Sequence, residues 1–218
     1  MKQVFYLLIL LILSKFSFGQ IDSIVKNGAY RNIITLQKNS PFLESEFEIK
    51  DISKHDPGYY NTQVYRIKSK DERIRWKTFI RETWVICDGN LFYFNCLRMD
   101  MGDDFIKIKY AGRYSYFIGR PILTEKQKRQ VSNAAYAGGL IGGAIAASSI
   151  NAKNAGKVHF IMDFQTGLVH YMDQKYLTWI LGAEIDLLEQ YNWEAKQDSI
   201  TVMRKYIELL NERLKNKY

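Results

Sequence analysis

Between Gly28 and Arg120 the apolar positions come in short runs rich in aromatic and β-branched residues. Six runs read as strands: Glu46–Lys50, Gln63–Ser69, Trp76–Cys87, Leu91–Leu97, Phe105–Tyr110 and Tyr114–Ile118. Turn-formers such as Asp56-Pro57-Gly58 and Gly102-Asp103-Asp104 separate them. This spacing predicts an antiparallel meander. A later segment, KVHFIMDFQTGLVHYMD, reads as a second hairpin with Phe164–Gly167 as its loop. Beyond it the period changes to that of a helix. Gln174–Leu181 stops near Gly182, Ala183–Tyr191 follows, and Trp193–Lys217 carries Ile200, Met203, Ile207, Leu210 and Leu214 as one apolar stripe, with a break or cap near Asp198. The fold class expected is α+β: an antiparallel β-sheet meander, a Gly/Ala-rich segment, a β-hairpin and C-terminal helices. About 60 residues of hairpin and helices would make a marginal core alone, so residues 20–218 are read as a single domain.

The two halves are separated by Ala134–Ile150, AAYAGGLIGGAIAASSI, which has no charged residue. Written as a helix it carries two rows of small residues at spacing four. Gly138 and Gly142 lie in one row and Gly139 and Gly143 in the other, so a second backbone can approach closely and the four glycines are the candidate helix-packing residues. Three readings remain open. The stretch inserts in a membrane or self-associates, packs against the protein's own sheet, or serves as a Gly/Ala linker. Lys126, Lys128 and Arg129 on one flank face Lys153 and Lys157 on the other, so charge sets no orientation.

At the start of the chain, Lys2 precedes the apolar run Val4–Leu13, and Ser17-Phe18-Gly19 supplies small residues for a peptidase. Met1–Gly19 therefore reads as a signal peptide. Ten apolar residues are too few to span a bilayer, and with no cysteine near the cut a lipoprotein anchor is not expected. An exported protein of the periplasm, outer membrane or medium follows. The net charge is +8, but its basic residues are scattered among acids, so a nucleic-acid partner is not expected.

Candidate chemistry is sparse. If Asp88-Gly89 is a two-residue loop, Cys87 pairs with Asn90, and Cys96 lies too far along the same strand for a disulfide. Two buried free thiols are expected. In the second hairpin Val158, Phe160 and Met162 share a face with Val169 and Tyr171, while His159 and His170 become diagonal neighbours on the other face beside Asp163. Two imidazoles are too few for a metal site, and neither a metal nor another cofactor is expected. The acidic pair Asp103-Asp104 is the other feature a hydrolase would draw on, and adjacent acids on a turn usually mark solvation.

An ordered set of motifs runs through the chain: NGAY (27–30), ETWVICDGNLFYFN (82–95), AGRYSYF (111–117), the GGLIGGAIAA core, MDFQTGLVHYMD (162–173) and YIELLNERL (206–214). Together they resemble a family of uncharacterised exported proteins of Bacteroidetes-type bacteria, a domain of unknown function. The resemblance covers most of the chain after the signal, apart from Arg31 to Asp51. It implies a bacterial envelope or secreted location and brings no activity or functional residue. The function expected is a non-enzymatic envelope protein for binding or assembly. Its sheet takes a ligand, and residues 134–150 provide membrane or homo-oligomer contact. The alternatives are a secreted hydrolase and a plain soluble periplasmic binding module.

Overall fold

The computed structural model describes residues 25–53, 63–109, 112–120, 129 and 158–216. The signal-like Met1–Gly19 and the stretch 134–150, with Gly138, Gly139, Gly142 and Gly143, lie outside the described residues. In chain order the elements are β1 (Gly28–Tyr30), α1 (Ile33–Gln37), β2 (Phe47–Asp51), β3 (Val64–Ser69), α2 (Trp76–Glu82), β4 (Val85–Asp88), β5 (Leu91–Asn95), β6 (Phe105–Ile108), β7 (Tyr114–Gly119), β8 (Val158–Asp163), β9 (Val169–Tyr171), α3 (Gln174–Leu181), α4 (Ile185–Asn192) and α5 (Ile200–Asn216). A 3-10 turn, Cys96–Met99, follows β5.

The class is α+β, built from a six-stranded antiparallel sheet, a smaller three-stranded one and C-terminal helices. The large sheet has the order β1-β4-β5-β6-β3-β2 and keeps the meander through its three consecutive strands β4, β5 and β6. β7 leaves this sheet. It pairs with β8, and β8 with β9, so the late hairpin extends a second sheet. One bridge, Lys109↔Tyr116, still ties β7 to the end of β6.

Three apolar layers result. The α2 residues Phe79 and Ile80 pack on Ile67, Ile86, Tyr93 and Phe105. The opposite face of the same strands, with Val85, Cys87, Phe92, Phe94 and Ile106, meets Phe117, Phe160 and Met162 of the small sheet. The outer face of the small sheet, Tyr114, Tyr116 and Ile161, is covered by Leu177, Leu187, Met203 and Ile207 of α3–α5. β4, β5, β7 and β8 are thus buried on both faces, which is why they read as continuous apolar runs with weak alternation. A stack of rings crosses the central layer: Phe94–Phe117, Phe117–Phe160 and Phe160–Tyr171 have centroids 5.4, 5.2 and 5.2 Å apart. Each such pair contributes about 0.5–1.5 kcal/mol beyond its area.

Two local expectations are corrected. Trp76–Cys87 is not one strand, because Trp76–Glu82 is helical and the strand begins at Val85. Trp76, Phe79 and Ile80 stand at i, i+3 and i+4, a helical spacing that serves the sheet face beneath. The helix stops where the Thr83 hydroxyl and amide both donate to the Phe79 carbonyl. In the first hairpin the loop is Gly89-Asn90, and Cys87 faces Phe92 instead of Asn90. Gly89 has φ +62° while Asn90 does not enter positive φ. Such a turn wants glycine first in the loop, which shifts the register by two residues and leaves every face unchanged. The second hairpin has the expected register, with Ile161↔His170 and Met162↔Val169. The three helices also fall where their period placed them, except that α5 starts at Ile200, beyond the break at Asp198. Among the described residues no helix is long and apolar enough to cross a membrane.

Candidate functional site

Most of the polar residues singled out in the sequence are engaged in structural work. Asp163 is buried and accepts two bonds from Arg113, at 3.1 and 3.2 Å, and a third from the Gln165 amide at 2.8 Å. Asp173 caps α3 by accepting from the Tyr176 amide at 2.7 Å. His159 and His170 do share a strand face, but they turn to different neighbours. His170 stacks on Tyr176 with centroids 4.1 Å apart, and His159 Nδ1 lies 3.2 Å from Arg204 Nη2. No cluster of three or more metal-ligating side chains occurs among the described residues. Asp104, of the acidic pair, is buried and accepts from Arg120 at 2.9 Å.

The thiols are free and buried, as the hairpin predicted. Burial, with a smaller contribution from Asp88, pushes Cys87 up to about 11. Burial and then Asp104 push Cys96 up further still. Both remain neutral thiols at physiological pH and are poor nucleophiles.

What the tertiary structure assembles instead is a groove of about 440 Å³ where the two sheets part. β6 changes partner along its edge. Phe105 and Ile106 pair with β3, the Lys107 amide donates to the Gln63 carbonyl at 3.5 Å, and Lys109 pairs with Tyr116. The groove opens between these two partners, and Gln63, Lys107, Tyr116 and Ile118 line it.

Main-chain groups alternate sides along β7. Those of Tyr114, Tyr116 and Ile118 face away from β8. At Tyr114 the side chain of Asn211 takes the place of a neighbouring strand: its Oδ1 accepts from the amide at 2.9 Å and its Nδ2 donates to the carbonyl at 2.7 Å. At Tyr116 the partner is Lys109, with bonds of 3.0 and 3.3 Å. One step further, the N–H and C=O of Ile118 face the groove.

The charge in the groove comes from two elements. Lys109 and Arg204 hold their cationic groups 5.2 and 4.9 Å from the centre of the Tyr116 ring. One turn beyond Arg204 on α5, Glu208 accepts from Lys109 at 3.1 Å and from the Tyr116 hydroxyl at 3.1 Å. The bonds to Tyr116 and Glu208 raise the Lys109 ammonium, and the bond from Lys109 lowers Glu208. Glu208 thereby pairs with Lys109, and the neighbouring Arg204 charge lowers it as well. Lys107 forms no ion pair among the described residues, and the buried Nε of Arg204 finds no hydrogen-bond partner there. Both residues line the groove, as do Ile106, Ile108 and Phe117, whose side chains are buried in the layer between the sheets. Nothing in the sequence foretold this meeting. The i, i+4 spacing of Arg204 and Glu208 was visible, but not the strand they face.

No curated protein and no solved structure matches the chain. A family model does match, over residues 28–214, and it places the chain in DUF6563, a family of unknown function.

Proposed function

We propose that this protein is a non-enzymatic binding or assembly protein of the bacterial cell envelope. In this reading the groove at the β6–β7 seam takes a ligand, and residues 134–150 make membrane or homotypic contact. The observation that carries the binding part is the groove itself, bordered by Lys107, Lys109, Tyr116, Ile118 and Arg204 at the point where the two sheets part. Its volume lies within the roughly 300–1,000 Å³ of ordinary small-molecule sites. Support for export is the signal-like pattern of Met1–Gly19, and support for the contact is the double row containing Gly138, Gly139, Gly142 and Gly143. The commitment of Asp163, Asp173 and Asp104 to arginine and main-chain partners argues against hydrolysis, which needs carboxylates converging on a cleft.

Two measurements test the reading. Fragment screening by amide chemical shifts on the purified protein is expected to move Lys107, Tyr116, Ile118 and Arg204 together. Shifts scattered over the surface, or none, would remove the groove as the site. Membrane fractionation with a carbonate wash, comparing wild type with the double variant Gly138→Leu/Gly142→Leu, tests the contact. Unchanged partitioning and unchanged mass in the variant would remove it.

A further inference from the structure

We infer that the outer edge of β2 is a self-complementary interface, where two copies of this chain join their large sheets antiparallel about a two-fold axis at Ile49. This contact is separate from the groove and from the one proposed for residues 134–150.

The first observation concerns the main chain. The Glu46 carbonyl accepts from the Lys70 amide and the Ile52 amide donates to the Val64 carbonyl, both at 3.0 Å. Main-chain groups alternate sides along an antiparallel strand. Those of Glu48 and Lys50 therefore face β3, and the N–H and C=O of Phe47 and Ile49 face outward. Among the described residues no strand lies beyond β2, and no hydrogen bond reaches Phe47 or Ile49 from that side. The other sheet edges are covered or short. On β1, Ala29 exchanges main-chain bonds with Phe42 and Leu43; on β7, Asn211 and Lys109 serve Tyr114 and Tyr116. β9 has three residues and ends where the Asp173 amide donates to the Tyr171 carbonyl. β2 is the edge left as a template for another strand.

Charge says which strand fits. Glu48 and Lys50 are exposed on the same face of β2. Within the chain Glu48 stands opposite Lys68, whereas Lys50 stands opposite Arg66, a like charge. A second β2 running antiparallel, with Ile49 against Ile49, sets Glu48 of each copy directly opposite Lys50 of the other. Lys50 then gains the carboxylate that its own neighbouring strand does not supply. A slip of two residues brings Glu48 against Glu48 or Lys50 against Lys50, so the charges favour one register. Charged residues on an edge usually discourage pairing; here their order permits pairing with the same sequence.

The apolar face agrees. Phe47 and Ile49 are half-buried and pack against the layer under α2, with the Phe47 and Phe79 rings 6.1 Å apart. That layer stops at β2, and Ile49 against Ile49 carries it across the axis. An interface of this kind is isologous, the same patch on both copies.

Sedimentation of the purified protein at low salt, over a concentration series, tests the inference. A reversible equilibrium between one and two chains is expected, and exchange of the Ile49 amide should slow as the dimer forms. Glu48→Lys and Lys50→Glu should each weaken association by at least about tenfold, since each sets like charges opposite one another twice. An equimolar mixture of the two variants should recover the dimer, because each then meets opposite charge in the other. Both positions are exposed, and Lys50→Glu also faces Arg66 within its own chain, so the fold is not at risk. A wild-type mass of one chain up to about 0.5 mM would overturn the inference. So would a dimer that both charge variants leave intact. If that dimer is instead lost in Gly138→Leu/Gly142→Leu, association belongs to residues 134–150, and the proposed contact there stands while this interface falls.

Discussion

Replacing Asn211 is the sharpest check on how the edge of the small sheet is closed. Asn211 and Tyr114 are each only 5% exposed, and the carboxamide satisfies both main-chain groups of Tyr114. Asn211→Leu keeps the volume and strands a buried N–H and a buried C=O. Each orphaned group costs about 1–3 kcal/mol, so a loss of about 3 kcal/mol is expected, with Tm falling by about 6–12 °C for a chain of this size. Asn211→Asp separates the two bonds. At neutral pH its carboxylate still accepts from the Tyr114 amide but points the other oxygen at the Tyr114 carbonyl with no proton to share. That contact raises its folded pKa, because only the protonated acid can donate there. A carboxyl raised on folding contributes stability that is fully present below its unfolded value of about 3.9 and is lost as the pH rises through the raised value. Relative to wild type, Asn211→Asp should therefore cost little at pH 4 and about as much as Asn211→Leu at pH 7. Urea denaturation at both pH values, with unchanged m, reads the difference. A loss below about 1 kcal/mol for Asn211→Leu, or an Asn211→Asp penalty independent of pH, would refute the strand-surrogate account.

Three further outcomes are expected. Gly112→Ala should destabilise by about 2 kcal/mol, because Gly112 has φ +119° and a Cβ there would lie 2.9 Å from the Asn211 Cγ; a wild-type denaturation midpoint would contradict this. Both cysteines should resist an aromatic disulfide reagent at pH 8 in the folded protein and react at the rate of unfolding, whereas a fast stoichiometric reaction would show an exposed thiolate. Above pH 10 stability should fall, since burial lifts Tyr30 and Tyr93 to about 12 and the folded state keeps protons that the unfolded chain releases. Each phenol then contributes a slope of up to about −1.4 kcal/mol per pH unit between 10 and 12, and flat stability across that window would count against the buried phenols.

Local pattern and chain period settled a good deal here without any tertiary knowledge. The register of the second hairpin follows from the loop Phe164–Gly167 and the apolar set Phe160, Met162 and Val169, since a slip of one residue would turn that set to the wrong face. The helix Gln174–Leu181 was legible from its stop at Gly182, which acts through groups within a turn of the chain, as does the Asp173 cap that the structure adds at its start. Spacing within the first hairpin also kept Cys87 and Cys96 from bonding, even with the register misjudged by two.

What no local pattern contained was the partner of each strand. β7 carries aromatic residues on both faces, equally suited to extending the first sheet or founding a second, and the choice was made by pairing with β8, whose nearest partner, Val158 to Gly119, is about forty residues away in sequence. The helix at Trp76–Glu82 was misread for the same reason, because a short run of aromatic residues fits a strand or a helix until the surface beneath it is known. The candidate site belongs wholly to this second category. Lys109, Tyr116, Arg204 and Glu208 come from three elements, and they meet because α5 lies across the point where the two sheets diverge. Periodicity reports which face of an element is apolar; the geometry of several buried faces closing on one another decides which polar residues are left together at the seam.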